Sequence, residues 1–297
     1  MRILVTGSSG QVGSSLIELL EKETDINYLP LNRSELDITN FDSVEKVVLG
    51  FHPDVIVNTA AYTAVDKAEL EPEQAYAINS QGVKHLALAA EKINATVVHL
   101  STDYVFSGDK DGLYSESDLP EPLSIYGKSK LDGERELIQC CRKHIILRTA
   151  WVFGEHGNNF VKTMLRLAKK ESTLSIVSDQ FGGPTYAGDI AKAIVNIIRK
   201  IPSNPKPRYG VYHYSGFPYV SWSEFAKVIF EKAREEGFID KTPKVNSIKS
   251  HEYPTLATRP SNSRLDTYKI NNEFGIKMSD WIAALSSLEN FKYEGSK

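Results

Sequence analysis

A tyrosine and a lysine stand four residues apart in Tyr126-Gly-Lys-Ser-Lys130, a spacing that places both side chains on one face of a helix. A tyrosine phenol has an ordinary pKa of about 10, so it exchanges protons poorly near neutral pH unless a nearby cation stabilises the phenolate. Lys130 supplies a cation at the right spacing. Taken alone, this common pattern fits an exposed helix face equally well.

Hydroxyl groups follow directly after an apolar run that we interpret as a central strand, Thr96 to Leu100. The ends of parallel strands face the ligand crevice of a sheet, so we expect Ser101 and Thr102 to orient a substrate carbonyl beside the phenol. A serine hydrolase is not indicated, because the sequence has no G-x-S-x-G elbow and no histidine in a nucleophile–base pattern. The seven histidines also lack metal-ligand spacing.

A glycine loop, Gly7-Ser-Ser-Gly10-Gln-Val-Gly13, lies between the first strand and the first helix. Glycines permit unusual backbone angles and let a pyrophosphate approach N–H groups at a helix N-terminus. The spacing G-x-x-G-x-x-G departs from the G-x-G-x-x-G fingerprint, but its position between strand and helix favours a dinucleotide site over a ligand-free turn. Combined with the phenol and the hydroxyls, it predicts hydride transfer with acid–base help from tyrosine.

The end of the second strand carries the residues expected to choose the cofactor. Asn32 can bond a ribose hydroxyl without repelling a 2′-phosphate, and Arg33 can pair with that phosphate. The charges therefore favour NADP(H) and leave NAD(H) open. Asp37 and Ile38 follow at a distance that suits the adenine, although an acidic loop residue is more often simply solvated.

Short apolar strands alternate with helical patterns through the first two-thirds of the chain, which predicts a Rossmann-type α/β fold with a doubly wound parallel sheet. We expect the cofactor-binding domain over residues 1–178, with returning segments near 186–215. Residues 216–297 would form most of a smaller C-terminal substrate lobe. The predicted strands are Ile3–Thr6, Tyr28–Leu31, Val55–Thr59, Thr96–Leu100, Ile145–Thr149, Leu174–Val177 and Val211–Tyr214.

The composition is that of an ordinary globular protein of 297 residues, 41% hydrophobic and 25% charged. A formal net charge of −3 supplies no broad cationic field, so neither nucleic acid nor a membrane surface is an expected partner. The two cysteines, Cys140 and Cys141, are neighbours, for which a mutual disulfide would be strained. Without an apolar stretch of about 18 residues, we expect a cytoplasmic protein.

With these motifs in place, the sequence resembles the extended short-chain dehydrogenases, and among them the dTDP-4-dehydrorhamnose reductases. The similarity spans nearly the whole chain, and the combination of its motifs is more specific than any one of them. The motifs that carry it are Gly7 to Gly13, Val57-Asn-Thr-Ala-Ala-Tyr-Thr-Ala-Val-Asp-Lys-Ala-Glu69, Ser101 to Gly108, Tyr126 to Lys130, Arg148-Thr-Ala-Trp-Val-Phe-Gly154 and Arg259-Pro-Ser-Asn-Ser-Arg-Leu-Asp266.

The resemblance implies reduction of dTDP-4-dehydro-L-rhamnose to dTDP-L-rhamnose. Tyr126 would donate the proton to the 4-keto oxygen as the nicotinamide delivers hydride to the carbon. Lys130 would bind the ribose and lower the tyrosine pKa, while Thr102 tunes the site. The cofactor contacts that it implies are Gly10, Gln11 and Val12 at the pyrophosphate, with Ala61, Tyr62, Thr63 and Leu100 beyond it.

Thr102, Asp103 and Trp151 would face the sugar nucleotide, with a core aromatic as the alternative for Trp151. Arg259 and Arg264 suit a diphosphate, with a surface salt bridge as the alternative for each.

Two alternatives accompany this interpretation. A non-catalytic NADP-binding subunit resembling the β subunit of methionine adenosyltransferase would share the fold and many motifs, and a reductase of another nucleotide sugar would share the chemistry.

Family members can carry an acidic residue soon after the Gly182–Thr185 turn that helps bind magnesium between subunits. Here the nearest carboxylate, Asp189, comes one position late, so we assign no metal ligand, and metal-dependent homodimerisation is in doubt.

Overall fold

Six parallel strands form the central sheet of the computed structural model, which describes residues 1–203 and 208–291. The strands are β1 (Arg2–Thr6), β2 (Asn27–Leu31), β3 (Val55–Asn58), β4 (Thr96–Thr102), β5 (His144–Thr149), β6 (Val152–Phe153), β7 (Thr173–Val177), β8 (Phe181–Gly182), β9 (Thr185–Tyr186), β10 (Gly210–His213), β11 (Val220–Ser221), β12 (Lys244–Ile248) and β13 (Asn262–Ser263). The order in the central sheet is β10-β5-β4-β3-β1-β2.

Helices cover both faces of this sheet, as its continuous apolar strands predict. The helices are α1 (Gln11–Leu20), α2 (Phe41–Phe51), α3 (Val65–Ala68), α4 (Pro72–Tyr76), α5 (Gly82–Lys92), α6 (Ile125–Cys140), α7 (Phe160–Ala168), α8 (Ala187–Ser203), α9 (Trp222–Glu235), α10 (Tyr268–Phe274) and α11 (Trp281–Ala284). In β1, Ile3 and Val5 pack on one face, against α1 and α8, whereas Leu4 packs on the other, against α2 and α5. The α/β prediction is confirmed.

The strand order reverses between β1 and β3, so the chain leaves these neighbours in opposite directions. Ligands of open α/β sheets bind in the crevice at such a switch point, beyond the carboxyl ends of the strands. The glycine loop follows β1 there, and the segment beginning at Thr59 follows β3. This edge of the sheet is therefore where the predicted site residues should meet.

Two elements differ from the sequence-based expectation. The strand β7, expected in the parallel sheet, pairs instead with β12 in a separate two-stranded sheet, and β10 takes the edge position beside β5. The spacing of residues over Glu73–Asn94 predicts a single helix, but a π-helical turn, Ala77–Gln81, separates α4 from α5 there. Buried Asn79 in that turn bonds the backbone of Tyr62 through both amide atoms.

A third apolar cluster lies outside the central sheet and joins α7, α9, α11 and the 3-10 segment Leu285–Phe291. The pattern Ser221-Trp-Ser-Glu224 predicts a capping box at the start of α9, and the Ser221 hydroxyl and Glu224 carboxylate each accept from the other residue's backbone N–H. Among the described residues, no helix is both long enough and apolar enough to cross a bilayer.

Candidate active site

The glycine loop after β1 is closed so tightly that side chains would not fit. Gly7 has a φ of +71°, and a Cβ there would lie 2.5 Å from the Ala60 nitrogen. A Cβ at Gly13 would lie 2.2 Å from the Gly7 oxygen. Gly10 begins α1 without a side chain, so a phosphate could reach the first N–H groups of the helix. Gln11 and Val12 follow, and the Gln11 carbonyl oxygen Oε1 accepts a bond from Asn159 at 3.0 Å. The loop fits a dinucleotide diphosphate.

The loop after β2 exposes Arg33 at the rim of the crevice. The Asn32 side-chain oxygen is occupied by the backbone N–H of Ser34 at 2.9 Å and by the hydroxyl of the same residue at 2.7 Å. Bonds from the backbone N–H and hydroxyl of Thr39, with help from the Arg33 charge, lower the pKa of Asp37. Ile38 is buried in the core with Leu4 and Val44, and its contact with the cofactor stays a prediction.

Beyond β3, the predicted cofactor contacts Ala61, Tyr62 and Thr63 form a continuous segment at the switch point. The Asn79 amide holds this segment, accepting from Tyr62 N at 2.8 Å and donating to Tyr62 O at 3.1 Å. The Tyr62 phenol donates to Glu71 at 2.6 Å, so its ring lies toward α4. Asn79 also donates to Ser129 Oγ on α6 at 3.0 Å, which ties this segment to the helix carrying Tyr126.

The phenol of Tyr126 meets the end of β4. Ser124 caps α6 by accepting from Gly127 N at 3.1 Å, which starts the helix just before the tyrosine. Burial raises the pKa of Tyr126, and a hydrogen bond with the Thr102 hydroxyl counteracts part of that increase. The structure therefore brings the phenol and the strand-end hydroxyl together. A buried phenol retains its proton near neutral pH, as a proton donor must.

Lys130 lies one helical turn beyond Tyr126 and is only 2% exposed. Its ammonium nitrogen donates to the Leu100 carbonyl at 2.7 Å and lies 3.2 Å from His99 Nε2. Burial lowers the pKa of Lys130 to about 8, and the nearby Glu134 carboxylate opposes this shift. The amine consequently titrates close to physiological pH, far below an ordinary lysine.

On the substrate side, the Asp103 carboxyl accepts from Thr102 Oγ1 at 3.0 Å. Burial raises the pKa of Asp103 to about 6, while bonds from Ser263 and Thr102 counteract the shift. Within the described residues, Asp103 Oδ2 and Ser101 Oγ have no hydrogen-bond partner although both are buried. Such groups are costly unless a ligand or water pairs with them, and the same holds for Arg148 Nη1, Thr149 Oγ1 and His213 Nε2.

Two predicted substrate residues already have partners within the chain. Trp151 is half-buried, has a φ of +48° and stacks on Trp222 with ring centroids 3.5 Å apart. Arg259 pairs with Asp66 at 2.6 Å and donates to the Tyr104 phenol at 2.9 Å. Both alternatives weighed from the sequence, the packed aromatic and the salt bridge, are thus visible features of the fold. Their contacts with a substrate stay predictions.

Asp189, the carboxylate considered for a metal, is bonded to the chain itself. It accepts from Ser279 Oγ at 2.8 Å and from Lys192 Nζ at 3.0 Å. Across residues 1–203 and 208–291, no group of three or more histidine, cysteine or acidic side chains is arranged to hold a metal ion.

This arrangement of glycine loop, strand-end hydroxyl and Tyr/Lys helix agrees with a family match. The model of the family described as "RmlD substrate binding domain" matches residues 1–292. The chain belongs to this family. The RmlD family match confirms the resemblance to the dTDP-4-dehydrorhamnose reductases.

Named RmlD relatives cover almost the whole chain. A curated dTDP-4-dehydrorhamnose reductase of Aggregatibacter actinomycetemcomitans is 51% identical, covering 98% of this chain and 99% of the relative. The crystal structure of a Clostridium acetobutylicum dTDP-4-dehydrorhamnose reductase has a TM-score of 0.89 and 38% identity, covering 97% and 98%. The Bacillus anthracis dTDP-4-dehydrorhamnose reductase, solved in complex with NADP, has a TM-score of 0.87 and 39% identity, covering 96% of each chain.

Three buried polar residues near this site were not predicted from the sequence: Asn58, Asn79 and His99. One signal was present, since Asn58 and His99 interrupt otherwise apolar central strands. A polar side chain there must find a partner, which the strand pattern alone does not name. Asn79 gave no comparable signal, because it lies in an ordinary helical pattern.

Proposed function

We propose that this chain is an NADP(H)-dependent reductase that converts dTDP-4-dehydro-L-rhamnose to dTDP-L-rhamnose. The observation that carries the proposal is the convergence of Tyr126, Lys130 and Thr102 beside the glycine loop, in a chain whose relatives are named for this reaction. When bound, the reduced cofactor supplies a hydride to the keto carbon.

Tyr126 donates its phenolic proton to the keto oxygen, and the resulting phenolate recovers a proton from water. The Thr102 hydroxyl lies in hydrogen-bond contact with the phenol and stabilises the phenolate by turning its proton from Asp103 Oδ1 to the phenolate oxygen. Lys130 in its charged form favours the phenolate electrostatically and donates to the cofactor ribose. The anchoring bond to Leu100 O keeps the amine at the crevice.

We place the cofactor along the switch point, in residues 1–178 with returning segments near 186–215, and we assign residues 216–297 mainly to the substrate-binding lobe. The exposed Arg33 supports NADP(H), as does the NADP complex of the Bacillus anthracis relative, whereas NAD(H) is the weaker candidate. The proposed cofactor contacts are Gly7, Gly10, Gln11, Val12, Gly13, Asn32, Arg33, Asp37, Ile38, Ala61, Tyr62, Thr63, Leu100, Tyr126 and Lys130.

For the sugar nucleotide we propose Thr102, Asp103, Trp151 and Arg259. Asp103 is the best supported of these, since one of its buried oxygens has no partner within the described chain. Arg259 would have to exchange part of its pairing with Asp66 for the substrate diphosphate. A homodimer also belongs to the proposal, and light scattering on the purified protein tests it.

Steady-state kinetics on the purified chain tests the activity directly. dTDP-4-dehydrorhamnose generated in situ should be reduced with loss of nicotinamide absorbance, faster with NADPH than with NADH. No oxidation of either cofactor, with no product in chromatography, would refute the proposed activity. Equal rates with NADPH and NADH would refute the proposed cofactor preference. Tight NADPH binding without turnover, together with co-purification of a catalytic partner, would instead favour the regulatory-subunit alternative.

A further inference from the structure

A series of buried polar side chains crosses the end of the sheet from β1 to α6. Thr6 Oγ1 donates to Asn58 Oδ1 at 2.7 Å, Asn58 Nδ2 lies 3.0 Å from His99 Nδ1, and His99 Nε2 lies 3.2 Å from Lys130 Nζ. All four side chains are at most 2% exposed. We call these four residues the buried network. Only its last member has a role in the proposed reaction.

The orientation of the Asn58 amide is set by a backbone group. Asn58 Oδ1 accepts from the N–H of Ala60 at 3.1 Å as well as from the Thr6 hydroxyl. A backbone N–H can only donate, so the oxygen of the amide must face Ala60. The amide nitrogen is then directed at His99. In the reversed orientation, the buried NH2 group of Asn58 would face two other donors, the Ala60 N–H and the Thr6 hydroxyl.

The orientation of Asn58 in turn determines where the His99 proton resides. Because the Asn58 nitrogen donates, His99 Nδ1 must accept, and a neutral imidazole then carries its proton on Nε2. Burial and the Lys130 charge lower the pKa of His99 well below its ordinary value, so the ring is neutral. The Nε2–H therefore faces the lysine nitrogen.

We propose that His99 is a positioning residue for Lys130, held by Asn58 as the Nε2–H tautomer and presenting that N–H to the lysine nitrogen. An ammonium group has three N–H donors and no acceptor, so its contact with the His99 Nε2–H is unfavourable. A neutral amine has a lone pair that accepts a hydrogen bond from this N–H. The contact thus favours the amine, in the same direction as burial. The backbone N–H of Ala60, next to the glycine loop, is thereby linked to the protonation of Lys130.

Other groups around Lys130 act in the opposite direction. The Leu100 carbonyl accepts from it, and the Glu134 carboxylate, itself paired with Arg148 at 2.6 Å, favours the charged form. The Tyr126 phenol lies one turn earlier on α6 and is neutral near physiological pH because burial raises its pKa. His99 and burial oppose these two acceptors, and the balance leaves a lysine that changes charge near working pH.

Nitrogen-15 NMR of the histidine side chains in the full-length protein tests the tautomer directly. The protein has seven histidines, and the His99→Asn variant identifies the signal of residue 99. We expect a neutral ring with hydrogen on Nε2, unchanged as the pH falls from 7 to about 5, because the ordinary pKa of about 6.5 no longer applies. A ring protonated on Nδ1, or on both nitrogens, would overturn the proposal.

The Asn58→Asp variant tests the consequence for Lys130. A carboxylate accepts from Ala60 and Thr6 as before but also accepts from His99, so the tautomer should invert to Nδ1–H and leave Nε2 as an acceptor for the ammonium. The alkaline limb of the kcat/KM profile should move up by about one pH unit. A raised limb without tautomer inversion would show that the added charge acts alone, which contradicts the role given to His99.

Thr6→Val is the matched control, since it removes one donor to Asn58 and leaves the Ala60 N–H in place. Neither the tautomer nor the alkaline limb should change, and an equal shift in this variant would overturn the proposal. If Asn58→Asp fails to fold, His99→Gln replaces it, because its amide can turn a carbonyl toward Lys130 and should also raise the limb. An unmoved limb there counts against the proposal.

The kinetic experiment depends on the proposed reductase activity, whereas the NMR experiment does not. Absence of turnover in the unmodified protein would refute the proposed function. The NMR experiment would still decide the tautomer of His99.

Discussion

Two neighbouring side chains on α6 divide the work of proton transfer because their surroundings differ. Burial raises the pKa of Tyr126, which keeps the phenol protonated, and lowers the pKa of Lys130 to about 8, which makes the cation easy to lose. Both shifts disfavour the charged form, as burial does for any ionisable group. Tyr126 therefore stays protonated near neutral pH, whereas the charge of Lys130 changes with pH.

Replacing Tyr126 by phenylalanine should remove the proton donor and little else. A general acid contributes about 10²–10⁴-fold, so kcat should fall by that factor. The Kd for NADPH, measured by fluorescence titration, should change little, because the ring remains and the glycine loop is untouched. Turnover within a few-fold of the unmodified protein would contradict the assignment.

The Lys130 charge should define the alkaline limb of the pH profile. Its pKa of about 8 means that the ammonium is present below that pH and the neutral amine above it, so kcat/KM should decline as pH rises through this value. Lys130→Arg keeps a cation at all accessible pH values, so the limb should disappear, even at a lower rate. A limb near the same pH in that variant would show that another group titrates.

At the scale of elements, α6 is positioned by close backbone contacts on one side and an ion pair on the other. A Cβ at Gly133 would lie 1.9 Å from the Asn79 carbonyl oxygen in the π-helical turn. On β5, Arg148 holds the Glu134 carboxylate through two bonds, at 2.9 and 2.6 Å. The helix carrying Tyr126 and Lys130 is therefore fixed against both the switch-point segment and the sheet.

Gly133→Ala should therefore destabilise the protein and displace α6. The added methyl group meets backbone rather than a flexible side chain, so we expect a loss of about 1–3 kcal/mol in denaturant unfolding, together with reduced kcat. Gly50→Ala is the matched control, since a methyl group added there on α2 would have nothing within 4 Å. That change should be neutral or stabilising by up to about 1 kcal/mol. Equal effects of the two variants would contradict the close-contact argument.

Local patterns predicted β1, β3 and β4 because these strands are continuous apolar runs, and they predicted α6 from its helical spacing. They could not assign β7 to a separate sheet, because strand pairing depends on a partner, β12, about 70 residues later in the chain. The same limit hid the buried network. Asn58 and His99 are 41 residues apart, and His99 and Lys130 are 31 apart, so only the fold shows that they touch.

At the scale of the whole molecule, a net charge of −3 gives no general attraction for anionic ligands. Binding of a cofactor with an extra phosphate must then depend on a few local groups. Arg33 is an exposed cation at the rim of the crevice, and it follows the Asn32 turn, from which its guanidinium can approach a ligand in solvent. A cofactor that binds the folded protein more tightly should also raise its free energy of unfolding more.

We expect NADPH to raise the melting temperature more than NADH at equal concentration. A ligand at 100 times its Kd stabilises the folded state by about 2.7 kcal/mol, which corresponds to roughly 4 °C for a protein of this size. NADH lacks the 2′-phosphate that Arg33 would pair with, so its shift should be smaller by a few degrees.

Arg33→Ala should abolish the difference between the two cofactors. Arg142→Ala should preserve it, because Arg142 is an exposed arginine that pairs with Glu91 just before β5, at the amino ends of the strands. Equal shifts in the unmodified protein, measured by scanning fluorimetry, would show that Arg33 does not bind the phosphate.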